Sequence, residues 1–224
     1  MLAGSRLDRA LSIALTVATI VVAAVVVEGR LRPAQPVTPR TKVQTIEGWN
    51  ALASPAQLWL TDSTRPVAVA IFTDFECPFC RLMDSVVTEM EKSYPNVISR
   101  SLIHFPLSNH RFAVPAARAF ECAARDGYGK EMQSSLMNQQ HRLGLQEWYD
   151  FARESGVRDS ARFVSCLKEE PSPQRIADGT RLGTRLKLSG TPAVVINGRL
   201  YDPAYIPDVM EAIENAAKGA LAIK

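Results

Sequence analysis

Residues 66–80 read PVAVAIFTDFECPFC, and this stretch decides how the chain folds. Pro66 to Glu76 is rich in Val, Ile and Phe and is bounded by turn residues, which predicts a buried strand. Cys77-Pro78-Phe79-Cys80 follows at once, and Leu82, Met83, Val86, Val87 and Met90 then recur with helical spacing. Pro78 suits the first helical position, where its missing N–H costs nothing. Two cysteines three apart on a helix share a face, with Cβ atoms about 5–6 Å apart, and small adjustments bring such a pair within disulfide reach. The free N–H groups and the dipole at a helix start stabilise an anion, so a thiol placed there has a lowered pKa. Cys77 is expected to be the exposed nucleophile. Cys80, one turn inside, resolves the mixed disulfide. Thiolate attack on a substrate disulfide followed by internal attack completes such a reaction, and no cofactor is required.

The pattern extends in both directions. Tyr94-Pro95-Asn96 breaks the helix and Val97 to Phe105 reads as a second strand, giving a strand–helix–strand unit. From Arg111 to about Leu188 the character is helical. One helix carries Ala116, Ala117, Phe120, Ala123 and Ala124, and others cover Lys130–His141, Leu145–Ser155, Ser160–Glu169 and Gln174–Leu188. After Gly190-Thr191-Pro192 strands return: Ala193–Ile196 and Arg199–Tyr201 flank Asn197-Gly198, a type I′ hairpin signal. Ile206, Val209, Met210, Ile213, Ala216 and Ala217 then mark a last amphipathic helix.

Composition narrows the classes. The 224 residues suffice for one full domain and an appendage. A hydrophobic fraction of 46% with 22% charged residues is ordinary for a globular chain. The net charge of +3 comes without a basic stripe, so nucleic-acid binding is not expected. The cysteines at 77, 80, 122 and 166 permit one local and one distant pair. A zinc site wants four ligands at short spacings. Cys122 and Cys166 are not a second close pair, and His104, His110 and His141 form no cluster, so no metal is expected.

The N-terminus sets the compartment. Leu11 to Val27 carries no charge and rises about 26 Å as a helix, close to the ~30 Å of bilayer hydrocarbon. Arg6 and Arg9 precede it as they would a cleaved signal peptide, but the run is long for one and no Ala-x-Ala site closes it. The expectation is an uncleaved anchor. Arg30, Arg32, Arg40 and Lys42 on the far side weigh against export by a bare positive-inside count, although long domains translocate largely regardless of charge. Pro33, Pro36 and Pro39 mark a semi-extended spacer. Ile46–Leu60 is expected to be a short helical or irregular lead-in, with Trp49 and Trp59 as packing anchors.

The residues now quoted resemble the DsbA-like branch of the thioredoxin superfamily over about Ser63 to Ala217. The resemblance is carried by Phe72 to Cys80 and, far downstream, by Gly190-Thr191-Pro192-Ala193. Between them, Phe105-Pro106-Leu107, His110, Ala116-Ala117 and Glu121-Cys122-Ala123 look like the branch's first inserted helix. The implied fold class is α/β, a thioredoxin fold with an inserted helical domain, and the apolar run adds the expectation of a single N-terminal transmembrane helix before it. The implied organisation is a cytoplasmic N-terminus over 1–9, an anchor over 10–27, a spacer and lead-in over 28–62, the DsbA-like domain over 63–219 with its insertion at about 107–188, and a tail over 220–224.

The resemblance also implies roles. Pro78 and Phe79 form the active-site loop, and Thr191-Pro192 is the cis-proline loop that faces the sulfurs, where the Thr191 backbone pairs with an extended substrate. Many relatives carry a buried acid six positions before the first cysteine; here that position is Ile71. Asp74 and Glu76 lie nearer the motif, either tuning a cysteine pKa or serving as strand-end surface charges. His110 is either near the site or a helix-start contact. Cys122 and Cys166 are expected to form a structural disulfide worth roughly 3–4 kcal/mol in the chain-entropy picture, with two buried thiols as the alternative. The implied protein is a bacterial inner-membrane, single-pass oxidoreductase with its catalytic domain in the periplasm or extracytoplasmic space. Its partners are protein thiols or disulfides and a membrane redox protein that resets the cysteines. An oxidase ranks first, ahead of a reductase and then an isomerase, with a non-catalytic binding module and a thiol peroxidase as rivals.

Overall fold

The computed structural model describes residues 12–23, 41–169 and 173–222. Two compact units divide the chain, Met1–Thr38 and Pro39–Lys224. In the first, residues 12–23 form a helix (α1) with exposed side chains. The hydroxyls of Thr16 and Thr19 turn back onto backbone carbonyls of their own helix. Among the described residues no helix is long and apolar enough to cross a membrane. Residues 10, 11 and 24–27 of the expected anchor, its cytoplasmic flank at 1–9 and the spacer at 28–40 lie outside the described residues.

The second unit is built on a six-stranded sheet of order β1-β6-β5-β3-β4-β2. Its centre is the strand read from the opening stretch, β3 (Val67–Thr73), which pairs in parallel with β4 (Ile98–His104). On its other side β3 pairs antiparallel with β5 (Ala193–Ile196), and β5 pairs with β6 (Arg199–Asp202). Asn197 and Gly198 both have positive φ, 46° and 81°, as a type I′ turn requires. The crossover from β3 to β4 is α3 (Pro78–Ser93), with Cys77 as N-cap and Pro78 at its first position.

The two edge strands correct the expected boundaries. Lys42–Thr45 forms β1, antiparallel to β6, and Gln57–Trp59 forms β2, antiparallel to β4, with the short helix α2 (Trp49–Ala53) between them. The described part of the 28–62 lead-in is therefore part of the sheet, and the domain begins well before residue 63. Trp49 is a packing anchor, edge-on to Phe72. Trp59 is not: on the edge strand β2 it is 37% exposed.

Alternation along β3 sorts its side chains to two faces, as the two-residue period of a strand dictates. Val67, Val69 and Ile71 pack under α3 and the C-terminal helix α9 (Ile206–Ala222), against Met83, Val87, Val209 and Ile213. Ala70 and Phe72 face Trp49 and Leu182 on the opposite side. Leu182 belongs to α8 (Gln174–Arg185), the last helix of the region expected as an insertion. α8 lies so close to β4 that a Cβ at Gly179 would collide with the His104 carbonyl, so it completes a layer of the sheet. The insertion proper is α4 (Ala113–Arg125), α5 (Gly129–Asn138), a 3₁₀ turn (Gln140–Arg142), α6 (Trp148–Glu154) and α7 (Ser160–Leu167). These helices have their own core, around Phe120, Met132, Leu136, Phe151 and Phe163, and that core reaches Phe75, Cys77 and Cys80. The Cys77–Cys80 turn is thus roofed by the insertion. The expected tail is also shorter than read, because α9 runs to Ala222.

Candidate active site

The end of β3, the start of α3, the loop before β5 and the entry to α4 converge on Cys77. Cys77 is the N-cap of α3 with extended backbone, φ −74° and ψ 119°. Its carbonyl accepts the first helical N–H groups, from Cys80 (3.1 Å) and Arg81 (3.3 Å). Its Sγ lies 3.3 Å from the Thr191 carbonyl oxygen, to which the thiol donates. The Thr191–Pro192 peptide, which the resemblance put in a cis loop, is cis. Contrary to expectation Cys77 is not exposed: Thr191 and the insertion core cover it, and both cysteines are buried. Phe79 stands out instead, 63% exposed.

The two thiols are driven apart electrostatically. The Cys77 pKa falls from 9.0 to about 6. The largest cause is a hydrogen bond from the Cys80 thiol. Burial opposes it, and the Thr191 side chain and the N–H groups of Cys80 and Phe79 add to it. Burial pushes Cys80 well above 9.0, and the neighbouring Cys77 pushes in the same direction. A helix start does this because its unpaired N–H groups point at the first thiol while the second lies a turn inside. The Asp74 N–H approaches the Cys80 sulfur at 3.5 Å.

Asp74 corrects the surface-charge reading, since it is 1% exposed. Its carboxylate accepts from the N–H of Glu76 and of Leu107 and pairs with His110 Nδ1, each at 2.8 Å. Glu76 accepts from the Phe112 N–H at 2.5 Å, at the start of α4, where a negative charge complements the helix dipole. The two acids therefore tie the active-site turn to the entry of the insertion. Burial disfavours the charged form of His110, but the hydrogen bond and charge of Asp74, with the charges of Glu76 and Cys77, outweigh it and raise its pKa.

Two further features had no sequence signal. Gln140, on the 3₁₀ turn, donates from Nε2 to the carbonyls of Phe75 and Cys77, each at 2.9 Å. Behind Phe75, His104 Nε2 meets Glu121 Oε1 at 2.9 Å, and Arg175 grips the same carboxylate with two nitrogens. Burial raises the Glu121 pKa, yet its partners His104 and Arg175 bring it down to about 2. Away from the site, Cys122 on α4 and Cys166 on α7 are bonded, with Cα atoms 5.8 Å apart.

Beside the sulfurs a groove of about 480 Å³ runs between Phe79 and Leu82 of α3, Thr191-Pro192, and Tyr205-Ile206 at the start of α9. Its walls are mostly apolar. The backbone of the 189–192 loop is held from below by Asp202, which accepts from the Ser189 N–H (2.9 Å) and hydroxyl (2.6 Å). A nucleophile poised as a thiolate, a partner thiol withheld as its acid, and an apolar channel beside them can together exchange a disulfide with a peptide.

Known proteins match this arrangement. A family model described as thioredoxin matches residues 53–215. The Na(+)/H(+) antiporter NhaA 3 of Salinispora tropica is 32% identical over 160 residues, covering 70% of this chain and 24% of that protein. The chain thus spans about a quarter of the length of such curated relatives. The probable disulfide bond formation protein D of Bacillus cereus is 23% identical over 184 residues, covering 77% of this chain and 84% of that protein. Among solved structures, alpha-DsbA1 of Wolbachia pipientis superposes with a TM-score of 0.62 at 16% identity, covering 75% of this chain and 94% of that one. The chain belongs to the thioredoxin family, and it shares with alpha-DsbA1 a fold in which helices are inserted between the two halves.

Proposed function

We propose that this protein is a thiol–disulfide oxidoreductase that passes a Cys77–Cys80 disulfide to the thiols of other proteins. The observation that carries the reading is the split between a Cys77 thiolate stabilised to a pKa of about 6 and a Cys80 thiol held well above 9.0. In the forward step a substrate thiolate attacks Cys77 Sγ. The Cys77–Cys80 bond breaks, and Cys80 leaves and takes up a proton. A second substrate thiolate then attacks the substrate sulfur of the mixed disulfide. Cys77 departs as a thiolate, and a low leaving-group pKa speeds that departure. The substrate is oxidised by two electrons and the dithiol keeps them.

The same split supports an oxidase over a reductase. Stabilising the reduced form makes the disulfide a stronger oxidant, which is the reason given for the high potential of DsbA itself. The Cys122–Cys166 bond supports an oxidising compartment outside the cytosol. The membrane tether expected over 10–27, and the membrane redox partner that would reoxidise the dithiol, rest on the sequence and its resemblance. The match to antiporters covers a quarter of their length and carries no ion-transport reading onto this chain.

The testing experiment is a trap. In a Cys80→Ala variant Cys77 attacks disulfides of oxidised substrates, the exchange above run in reverse. With no Cys80 thiol to displace those substrates, the mixed disulfides accumulate and separate under non-reducing conditions. A second change, Cys77→Ser, abolishes them. Recovery of no linked protein from cells making the single variant would overturn the reading.

A further inference from the structure

The insertion reaches into the active-site turn through one side chain. Gln140 opens the 3₁₀ turn, and its Nε2 lies 2.9 Å from both Phe75 O and Cys77 O. The two oxygens are two residues apart on the run into α3, so one NH₂ group with its two N–H bonds can serve both. The Cys77 carbonyl also opens the α3 ladder through Cys80 and Arg81. No backbone N–H reaches the Phe75 carbonyl among the described residues, so Gln140 is what satisfies it.

We propose that Gln140 is a positioning residue for disulfide exchange: by clamping the Phe75 and Cys77 carbonyls it fixes the turn that holds the Cys77 sulfur at the start of α3 and against Thr191. The inference rests on the function proposed above and names the residue through which the insertion governs that site. The position of Sγ follows from the peptide planes on either side of Cys77. Rotating them swings the sulfur away from the N–H groups of Phe79 and Cys80 that help stabilise its thiolate. Gln140 holds the plane after Cys77 through the Cys77 carbonyl and, through the Phe75 carbonyl, the peptide one step upstream of the plane before Cys77, whose own N–H bonds the Asp74 carbonyl at 3.2 Å. Gln140 touches no reacting atom; sulfur exchange proceeds as written above, with Cys77 as nucleophile and leaving group.

The test uses the full chain. Two quantities are measured: the Cys77 pKa, from the pH dependence of alkylation of the reduced protein, and the equilibrium of protein disulfide plus two glutathione thiols with protein dithiol plus glutathione disulfide. Gln140→Leu removes the donors at similar size. It is expected to raise the Cys77 pKa by about one unit and move the equilibrium about tenfold towards the protein disulfide, about 30 mV. Gln140→Glu sets a carboxylate against the two carbonyls, and its effect is larger and grows as pH rises through the carboxylate range. His141→Glu carries the same charge one residue on, at an exposed position, and leaves both quantities near those of the parent. Rescue of the pKa and the equilibrium is not expected from Gln140→Asn, whose amide is one methylene short.

The proposal is overturned if Gln140→Leu melts like the parent and both quantities stay within about twofold of it. It is equally overturned if His141→Glu reproduces the Gln140→Glu shift. Should Gln140→Leu fail to fold, Gln140→Asn is judged by the same two limits. A parent chain that does not exchange with glutathione sinks the function proposed above. A parent that exchanges while its Gln140 variants match it sinks only the role of Gln140.

Discussion

Cys77 and Cys80 lie three residues apart where a strand turns into α3, whereas Cys122 and Cys166 lie 44 residues apart on two helices of the insertion. All four are buried. Yet the first pair consists of thiols with divergent pKa values and the second is a closed bond. Burial does not distinguish them; what surrounds each sulfur does. The first pair meets helix-start N–H groups and the Thr191 loop, and Phe79 and Thr191 beside it line an apolar groove. The second pair is packed among Phe120, Phe163 and their neighbours in the insertion core, where it joins α4 to α7. A cysteine is reactive when its anion is solvated by the fold and reachable by a partner, and structural when neither holds.

The comparison can be broken most severely at Cys77. Cys77→Ser takes disulfide exchange down to background, while Cys122→Ser with Cys166→Ser leaves exchange intact, as a turnover assay on a thiol-containing protein will show. The double change instead acts on stability. It costs about 4 kcal/mol for a loop of this length in the chain-entropy picture, read from denaturant unfolding of the full chain.

A pH series sharpens the contrast. Because the Cys77 pKa is depressed in the folded reduced protein, its contribution to stability is complete above the unfolded value of 9.0 and is lost as pH falls through about 6. The reduced form should therefore gain stability between about pH 6 and 9, and the disulfide form and Cys77→Ser should not. Cys80, displaced upwards, contributes only above 9.0, with the opposite sign.

The smallest effect is expected at the entry to the insertion. His110→Gln removes a cation favoured by Asp74, Glu76 and Cys77. It should raise the midpoint of Cys77 alkylation by less than about one pH unit. An unchanged midpoint would leave His110 as a helix-start contact alone.

Much of this was legible in the sequence, for physical reasons. β3, α3 and β4 announce themselves because Val67 to Phe72 must be buried and Pro78 can only open a helix. Asn197-Gly198 fixes a hairpin because both residues tolerate positive φ. The edge strands were not legible. All four residues of β1 are exposed and β2 is only three residues long, so their strand form comes from pairing with β6 and β4 rather than from any local pattern. The fate of Asp74 was hidden for a similar reason: an acid after an apolar strand looks solvated until the 107–110 loop closes over it. Gln140 sits in a polar run, Asn138 to His141, that gives no hint of a contact 63 residues away.

The central claim is that the fold stabilises the Cys77 thiolate and so makes the Cys77–Cys80 disulfide an oxidant. Equilibration of the pair against glutathione buffers measures this directly. The account predicts a potential near the roughly −120 mV of a strong oxidase. A value near −270 mV, in the range of the reductant thioredoxin, would contradict it.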